Sequence, residues 1–508
     1  MLEAKPPAGE QETAYLPAGP PDPLVFEEFE GMNTTTTRPG VDDKQAYWLD
    51  GWMPLGPKRN LRTMWGLSAP LWTAPRSGIV SFYFVNIQAV PYALVFLDDG
   101  SIFAVNTLTN VGVQIAAPGT VNPVSNIYIG VTQYGDQYAL IVLNQVNGYY
   151  IWDGATLYAP GDTVPGQGTV PTGISGTAIE IYAGRVWIAF GATIDYSAPG
   201  SLTDFSSGSG GGNFTSVDSF LRIRFVQLKQ TNGFLYLVAD SSINYISGVQ
   251  TSGSPPVTTF TNQNADPEIG TPFPCTVDVF SRNIIFANAF GAQVSYGGAV
   301  AKISEPLDGI YNTEANFNQF VLSASKAIVF GKKIWILLLP FVDPVDGDIA
   351  AKLLMWNGKM WWAGRQDLTL AFIQSQEINS VLTAWGTDQH AIYQLFAQPS
   401  TGFKKTAVTK LWDKPGGYQF FKFVSRLWAI VQYYSTVSPT INVTIDDETG
   451  SSALIPLPLT PSTTGYCVSA PQAVGQTGVL TGMTISTNCA DVALVTAQIQ
   501  NQVGPYRG

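Results

Sequence analysis

The sequence predicts an all-β protein whose body is a β-propeller-like repeat of about six to seven blade units. Two observations carry this prediction. Short apolar strands separated by turns recur along the chain, and almost no stretch of the 508 residues shows the periodicity of a helix. The 50 glycines and 34 prolines fit a protein with many tight turns.

The recurring unit is a strand, a turn and a second strand. The first clear copy comprises residues 92–97 (YALVFL) and 101–106 (SIFAVN), joined through a turn that contains Gly100. Further copies have the same apolar, aromatic composition: residues 138–143 with 149–152, 185–190 with 193–196, 233–238 with 242–246, 283–286, 333–338 with 353–356, and 380–385 with 391–395.

The spacing of these copies turns the all-β prediction into a propeller prediction. Corresponding positions lie roughly 40 to 60 residues apart, a period typical of propeller blades. Gly100 and Gly154, for example, are 54 residues apart. A lone four-stranded sheet leaves both faces uncovered, so the units are expected to pack around an axis and bury one another. We assign residues 61–404 to this body.

The two ends of the chain differ from the body. Residues 1–60 are predicted to be an extended, Pro-rich acidic arm and an anchoring segment whose first strand lies within residues 24–30. Such an arm is expected either to be disordered or to lie on a neighbouring subunit. Residues 405–508 predict a C-terminal β-sandwich-like domain for subunit or ring contacts, or else segments that return to the N-terminal region.

Charge is scarce and unevenly placed. Only 12% of residues are charged, about half the usual share. The net charge is −11, and residues 1–30 contribute −6 of it through seven acids and one lysine, whereas residues 31–62 are net basic. This pattern argues against sequence-specific nucleic-acid binding, which needs a clustered basic surface. It is compatible with an acidic wall past which DNA slides, because like charges repel.

The sequence predicts neither export nor membrane insertion. Its first residues are polar and Pro-rich, unlike a signal peptide, and the longest apolar run, residues 334–342, is too short to span a bilayer and contains Pro340. The cysteines Cys275, Cys467 and Cys489 are odd in number and far apart. Buried thiols, which suit folding in a reducing cytoplasm, are favoured over a Cys467–Cys489 disulfide.

Three patterns that resemble known sites are each better explained structurally, so we predict no catalytic, cofactor or metal residues. The chain has a single histidine, His390, so a zinc site built on several histidines is excluded. His390 lies in a predicted turn, which favours a structural or exposed role over a catalytic one. Residues 206–213 (SSGSGGGN) lack the lysine of a phosphate-binding loop, which favours a mobile loop. Asp343, Asp346 and Asp348 do not have the EF-hand spacing, which favours a solvated hairpin loop over a Ca²⁺ site.

Glycan chemistry is the hardest alternative to exclude, because glycosidases need only two suitably placed acids and have no fixed spacing. Acids near predicted strand ends are Asp195, Asp204, Asp218, Asp240, Glu305 and Asp308. Most β-proteins of this size contain as many, so a structural role is favoured. The 13 tryptophans recur within the strand pattern, which favours blade core over a glycan-binding groove.

Two segments are more specific. Residues 29–34 (FEGMNT), 38–40 (RPG) and 60–66 (NLRTMWG) resemble the N-terminus of bacteriophage virion proteins with propeller bodies. Residues 184–189 (GRVWIA) and 194–205 (IDYSAPGSLTDF) resemble a blade motif of the tail nozzle, or lower tail tube, proteins of short-tailed phages. The motif contains no catalytic residues.

The resemblance implies a structural protein of the virion tail that is made in the host cytoplasm and is not an enzyme. It implies a homohexameric tube whose lumen conducts viral DNA during ejection, without sequence-specific binding. Its expected partners are further copies of itself, adjacent tail adaptor proteins, and tail fibres or spikes. The alternatives are a host-receptor or glycan-binding propeller of the virion, with or without glycosidase activity, and a propeller scaffold for cellular proteins.

Overall fold

The computed structural model describes residues 22–54, 60–76, 78–121, 128–215, 224–311, 325–347, 349–434, 439–459 and 465–506. Within these ranges the chain is built of β-strands, and the one α-helix is a single turn, Asp308–Tyr311. Short 3-10 helices occur at Arg38–Gly40, Ser207–Ser209, Pro274–Thr276, Glu305–Leu307 and Gly417–Gln419. The all-β prediction is confirmed. Residues 1–21 and 55–59 of the predicted arm and anchoring segment lie outside the described ranges, as do Asp218 and Asp348.

Short strands come first, followed by repeating units of four. The short strands are β1 (Leu24–Phe26), β2 (Trp48–Asp50), β3 (Trp52–Met53), β4 (Leu61–Thr63) and β5 (Trp72–Thr73). Unit 1 is β6 (Ile79–Ile87), β7 (Val90–Leu97), β8 (Ile102–Asn106) and β9 (Val111–Ala116). Unit 2 is β10 (Ile129–Tyr134), β11 (Tyr138–Leu143), β12 (Tyr149–Trp152) and β13 (Leu157–Tyr158), followed by the small hairpin β14 (Thr163–Val164) and β15 (Gly168–Thr169).

The next units continue the pattern. Unit 3 is β16 (Ala178–Tyr182), β17 (Arg185–Phe190), β18 (Thr193–Tyr196) and β19 (Gly212–Thr215). Unit 4 is β20 (Phe225–Thr231), β21 (Phe234–Ala239), β22 (Ile243–Ser252) and β23 (Val257–Asp266). Unit 5 is β24 (Asp278–Phe280), β25 (Asn283–Asn288), β26 (Gly291–Ser295) and β27 (Val300–Lys302). Unit 6 is β28 (Lys326–Phe330), β29 (Ile334–Val342), β30 (Ile349–Trp356) and β31 (Trp361–Gly364).

Unit 7 takes its fourth strand from the start of the chain. It comprises β32 (Phe372–Ile378), β33 (Val381–Thr387) and β34 (Ala391–Gln394), and β34 pairs with β5. The register places Ala391 opposite Thr73 and Ile392 opposite Trp72. This pairing joins the two ends of the repeat, so that the ring is closed by hydrogen bonds between strands about 320 residues apart in sequence.

The units form a β-propeller. In each unit the strands pair antiparallel in chain order, and the first strand of every unit contacts the first strands of its two neighbours, with β32 returning to β6. Among the described residues, six units are separate four-stranded sheets, and unit 6 continues into a larger sheet. The first strands begin at residues 79, 129, 178, 225, 278, 326 and 372, which confirms the predicted spacing.

The propeller forms because the middle strands are apolar on both faces. Ile141 of β11 lies in one core cluster with Phe96 of unit 1. The next residue, Val142, lies in another cluster with Ile188 of unit 3. Successive side chains of a strand point to opposite faces, so a fully apolar strand must be covered on both sides. Seven units in a ring provide that cover for each other.

The C-terminal strands form one further sheet and extend the sheet of unit 6. They are β35 (Lys405–Val408), β36 (Phe420–Tyr433), β37 (Thr440–Asp446), β38 (Ile455–Pro458), β39 (Tyr466–Val468), β40 (Gln472–Ala473), β41 (Thr477–Gly478), β42 (Gly482–Thr487) and β43 (Val492–Tyr506). One sheet has the order β3-β4-β43-β36-β39, with β1 on β43 and with β40 and β41 on β36. The other has the order β28-β29-β30-β31-β2-β35-β42-β37-β38.

These sheets combine the two ends of the chain. Inward residues of both, such as Val431 on β36 and Ile485 on β42, share one core cluster with Trp48 of β2 and Trp335 of unit 6. The C-terminal domain is therefore a two-sheet structure that incorporates strands from residues 24–63. Strand β2 makes the link, because it pairs parallel with β31 and antiparallel with β35.

A buried network of charges lies at this link. Asp50 on β2 faces Lys352 on β30 (3.5 Å) and Arg365 just after β31, whose Nε donates to its Oδ2 at 2.8 Å. Lys352 also donates to Asp343, and the Asp50, Asp343 and Lys352 side chains are each only 1% exposed. Burial raises the pKa of Asp50 despite the two cations. Burial also acts to raise the pKa of Asp343, but the hydrogen bond and the charge of the Lys352 ammonium have the larger combined effect, so the pKa of Asp343 is lowered.

This network corrects one sequence expectation in part. The hairpin was expected to be solvated, and residues 344–347 are indeed exposed, but Asp343 is buried. The exposed Asp346 lies 3.3 Å from Arg365. The two carboxylates neutralise protein cations, because an ion pair compensates for the loss of water around a buried charge.

We expect Ala74→Pro to weaken ring closure. The Ala74 amide donates to the His390 carbonyl (2.8 Å) beside the β5–β34 pair, and proline has no amide hydrogen. The expected loss is about 1–3 kcal/mol in the free energy of unfolding, with faster hydrogen exchange in β34. Ala74→Gly keeps the donor and serves as the control. Equal exchange rates in the two variants would contradict the closure role.

We expect Lys352→Met to lower the free energy of unfolding in urea by about 3–5 kcal/mol, because it removes the cation closest to the buried Asp343 carboxylate and leaves Arg365 alone with two buried acids. The matched control is Lys332→Met. Lys332 pairs with Glu377 at 3.0 Å on the surface, where both side chains are more than half exposed. That change should cost well under about 1 kcal/mol. A loss of similar size in both variants would mean that the buried network is not essential.

Candidate functional site

A cavity lies on the propeller axis, and we call it the central channel. Its volume is about 190 Å³, and every one of the seven units contributes to its wall. One lining residue from each unit, in order, is Tyr83, Gly130, Glu180, Lys229, Asp278, Lys326 and Gln374. They converge because each lies on the first strand of its unit, and the first strands surround the axis.

Charges of opposite sign alternate around part of the channel. Glu180, Lys229, Asp278 and Lys326 come from units 3 to 6, and Lys229 Nζ lies 3.7 Å from Asp278 Oδ1. Burial raises the pKa of Glu180, although Lys229 and the amide of Ile181 act in the opposite direction. The four charges cancel in sum. Such a lining holds the inner strands in register without attracting either sign of ligand strongly.

The channel is too small to conduct a nucleic-acid duplex. Binding pockets for drug-sized ligands occupy about 300–1,000 Å³, so even a small organic ligand would fill this cavity. The wall is also tightly packed. The Tyr83 hydroxyl donates to the Ile129 carbonyl at 2.7 Å, burial raises the pKa of Tyr83, and a Cβ on Gly130 would lie 2.8 Å from a methyl of Val142.

His390 and the Gly-rich loop have structural surroundings. His390 is exposed in the turn between β33 and β34, where its amide donates to Asp388 Oδ1 at 2.9 Å. The loop at residues 206–213 forms a 3-10 turn and the start of β19. Its Gly210 carbonyl accepts from Arg185 Nη1 (2.7 Å) and from the Thr258 hydroxyl (2.6 Å). The loop thus offers a carbonyl to an arginine, not a row of amides to a phosphate.

Of the six candidate acids, Asp195 and Asp204 belong to unit 3, Asp240 belongs to unit 4, and Glu305 and Asp308 follow unit 5. Hydrogen bonds from the Ser206 and Ser209 hydroxyls lower the pKa of Asp204, whereas burial raises the pKa of Asp195. Asp240 accepts from the Arg224 amide at 3.3 Å, and Asp308 pairs with Lys302 at 2.5 Å. Glu305 begins a 3-10 helix, and Asp218 lies outside the described residues.

The tryptophans and cysteines are mainly packing residues. The largest fully buried side chains include Trp48, Trp52, Trp152, Trp187, Trp335, Trp361 and Trp362, which confirms blade and sheet core as their main role. Cys467 and Cys489 are thiols and form no disulfide with each other in the described structure. Cys467 is buried as expected, whereas Cys275 and Cys489 are only half-buried.

The blade motif at residues 184–205 lies within unit 3, on β17, β18 and the loop that follows β18. Arg185 is buried on β17 and donates to the carbonyls of Ser197 (2.6 Å) and Gly210 (2.7 Å). It also donates to Thr258 (2.8 Å) and to Thr251, both on the long hairpin of unit 4. The motif therefore tethers the β22–β23 hairpin to unit 3.

The outer side of the β36 sheet is a second candidate surface. It carries Phe421, Phe423, Trp428 and Ile430 of β36 together with Tyr466 and Val468 of β39, which we call the aromatic face. The register places Ile430 opposite Val468. Phe421 and Phe423 are each 39% exposed, Tyr466 50% and Val468 64%. Buried and more exposed side chains alternate along most of residues 423–431, and this alternation could have predicted a two-sided strand. Its buried side carries Val424, Leu427, Ala429 and Val431, which are fully buried.

The fold and the channel define the protein as an all-β propeller with a two-sheet domain assembled from both chain ends. No family model matches the sequence, and no curated protein matches it. Among the described residues, no helix has both the length and the apolar composition needed to cross a membrane.

Solved propeller structures are similar in fold. The β-propeller domain of Cps50 (Swd1) from Myceliophteria thermophila matches 64% of this chain and 98% of its own, at 10% identity and a TM-score of 0.40. A chain of the BBS1N–ARL6DN complex matches 69% of this chain and 97% of its own, at 8% identity and a TM-score of 0.36. A chain of the mitotic checkpoint complex matches 64% of this chain and 93% of its own, at 11% identity and a TM-score of 0.37. The propeller assignment itself rests on the strand pairing described above.

We expect Lys229→Met to destabilise the protein mainly at neutral pH. The pKa of Glu180 is higher in the folded state than in the unfolded state. Glu180 therefore stabilises the fold fully at a pH below its unfolded-state pKa, and this stabilisation is lost as the pH rises through its folded-state pKa. Removing Lys229 makes the buried Glu180 carboxylate less favourable and lowers the free energy of unfolding by about 2 kcal/mol at pH 7. The loss should shrink near pH 4, where Glu180 is protonated. Urea unfolding at both pH values measures this, with Lys229→Arg as the control that keeps the charge. An equal loss at both pH values would contradict it.

Proposed function

We propose that this protein is a structural component of a phage tail, and that it forms the nozzle, or lower tail tube, through which the genome is ejected. The observation that carries the proposal is the blade motif at residues 184–205. The motif resembles nozzle proteins in sequence, and its Arg185 has a structural role, since it is buried and holds a loop and a neighbouring hairpin together.

In this proposal the DNA does not pass through the central channel, because a cavity of about 190 Å³ with four charged side chains does not admit a duplex. The proposed lumen lies between copies of the protein, in a ring that closes by heterologous contacts. We propose a homohexamer, with its ends attached to tail adaptor proteins and to fibres or spikes.

The charge of the chain suits this role. A net charge of −11 with few basic clusters repels phosphates, so DNA would pass along the ring without binding. The C-terminal domain supplies nearly neutral surface for contacts, because the region from residue 449 onward has Asp491 and Arg507 as its charged residues. In this proposal the protein acts mechanically and catalyses no reaction, and it resides in the virion tail.

Native mass measurement and negative-stain microscopy of the full chain test the proposal. We expect a six-fold ring with a central opening considerably wider than the propeller channel. A monomer or trimer that binds host polysaccharide would instead support the receptor-binding alternative. Incubation with host polysaccharide should release no oligosaccharides, and measurable release would show that the protein is an enzyme.

A further inference from the structure

A second cavity lies in the C-terminal domain, and we call it the C-terminal pocket. Its volume is about 680 Å³, a size at which pockets commonly hold small molecules. Its described walls come from the loop before β35, the end of β36, strands β37 and β42, and the loop from β42 to β43. Since β36 belongs to one C-terminal sheet and β37 and β42 to the other, residues of both sheets meet at this pocket.

The alternation of β37 and β42 places polar side chains in the pocket wall. Ile441, Val443 and Ile485 belong to the hydrophobic core. Asn442 lies between the first two, and the register places it opposite Ser486. Because successive side chains of a strand point to opposite faces, Asn442 and Ser486 share the face away from the core. The strand pair therefore offers an amide and a hydroxyl side by side to the pocket, which both residues line.

Further hydroxyl and amide groups continue this wall. Thr401, Thr440 and Asn488 line the pocket, and all three are exposed. Thr487 supports the wall, because its hydroxyl donates to the Thr440 carbonyl at 2.8 Å and accepts from the Cys489 amide at 3.0 Å. Hydroxyl and amide side chains can both donate and accept hydrogen bonds. The wall is therefore suited to a ligand that itself carries several hydroxyls.

The rest of the pocket is apolar, with Tyr433, Pro439 and Leu454 in its lining. A sugar ring has the same mixture of surfaces, since its hydroxyls lie around the edge and its C–H groups can pack on a tyrosine ring. A purely apolar ligand fits less well. It would cover the Ser486 hydroxyl, on a residue that is already 5% exposed, without giving it a hydrogen-bond partner.

The charges in the wall favour an acidic ligand. Of the described lining residues, Asp491 and Lys404 are charged. Arg62 Nη2 lies 3.1 Å from Asp491 Oδ1, and Trp65 Nε1 donates to the same oxygen at 3.4 Å. The charge of Asp491 is thus compensated within the protein. Lys404 is exposed, so its ammonium can pair with a carboxylate of the ligand.

We propose that the C-terminal pocket binds an acidic sugar unit of the uronic acid type. Its hydroxyls meet Asn442 and Ser486, its ring packs on Tyr433, and its carboxylate pairs with Lys404. This inference goes beyond the proposed mechanical function and does not depend on it. A six-fold ring that binds no acidic sugar would overturn this inference alone, and a monomer that binds one would overturn the ring alone.

Ligand-observed NMR titration of the full chain with D-glucuronic acid, D-glucose and octanoate tests the proposal. We expect glucuronic acid to bind several-fold more tightly than the other two, because glucose lacks the carboxylate and octanoate lacks the hydroxyls. Equal affinity for glucose would exclude a role for the carboxylate. Equal affinity for octanoate would show a pocket for apolar acids. Either result, or no binding of glucuronic acid, would overturn the proposal.

Charge reversal at the pocket gives a second test. Lys404→Glu should raise the Kd of glucuronic acid several-fold and leave any binding of glucose nearly unchanged, because it affects the carboxylate and not the hydroxyls. The matched control is Lys359→Glu, at an exposed lysine in the turn before β31, which should change neither affinity. Equal effects of the two variants would mean that the sugar responds to the overall charge and not to this pocket.

Filling the pocket tests the location of the site. Thr440 is exposed at the start of β37, so Thr440→Trp adds a large side chain without repacking the core. We expect this variant to lose most of its binding of glucuronic acid. Undiminished binding would place the sugar elsewhere on the molecule and contradict the assignment.

Discussion

The burial of charge between the propeller and the C-terminal sheets is the constraint on which the rest of the structure depends. Asp50, Asp343 and Lys352 are almost completely removed from water, and Arg365 completes a set whose four charges cancel. Each such ion costs several kcal/mol to desolvate unless its partners are in place. The set is complete only when β2 lies between β31 and β35, so it specifies one arrangement of the N-terminal strands.

This arrangement explains how a ring of blades and a separate pair of sheets behave as one structure. With β2 in place, unit 6 continues into the C-terminal sheet, and one hydrophobic core extends from Trp335 to Ile485. Without it, the nine-stranded sheet would divide into two parts, each with an open edge. The propeller is closed by the same principle, because β5 completes unit 7 from the N-terminal side. Both joints use strands that precede the repeats in sequence.

The central channel and the aromatic face have opposite characters. The channel is lined by charges that cancel, and its wall is tightly packed, which is the character of a core. The aromatic face is apolar and open to solvent, which is the character of a contact surface. The outer surface of the molecule, and not the propeller axis, therefore has the character of a contact site. A protein that assembles into a tube would need its specificity on such outer surfaces.

The sequence by itself determined the middle strands of the propeller units. Residues 185–190 and 193–196, for example, were identified as a hairpin and coincide with β17 and β18, because middle strands are buried on both faces and appear as continuous apolar runs. The first and fourth strands were not identified. In β20, Gln227, Leu228 and Lys229 alternate because one side lines the channel, and β9 is largely exposed, so neither has a strong apolar signal.

Only the tertiary structure decided the long-range features. The pairing of β5 with β34, the insertion of β2 and the ion pair of Asp50 with Lys352 all join residues that are distant in sequence, and no local pattern specifies such partners. The same holds for the aromatic face. The alternation of its side chains was present in the sequence. The side of β36 that is covered was decided by the second sheet, which packs against Val431 and not against Ile430. Local periodicity is fixed by backbone geometry, whereas the choice of partner is fixed by burial over the whole chain.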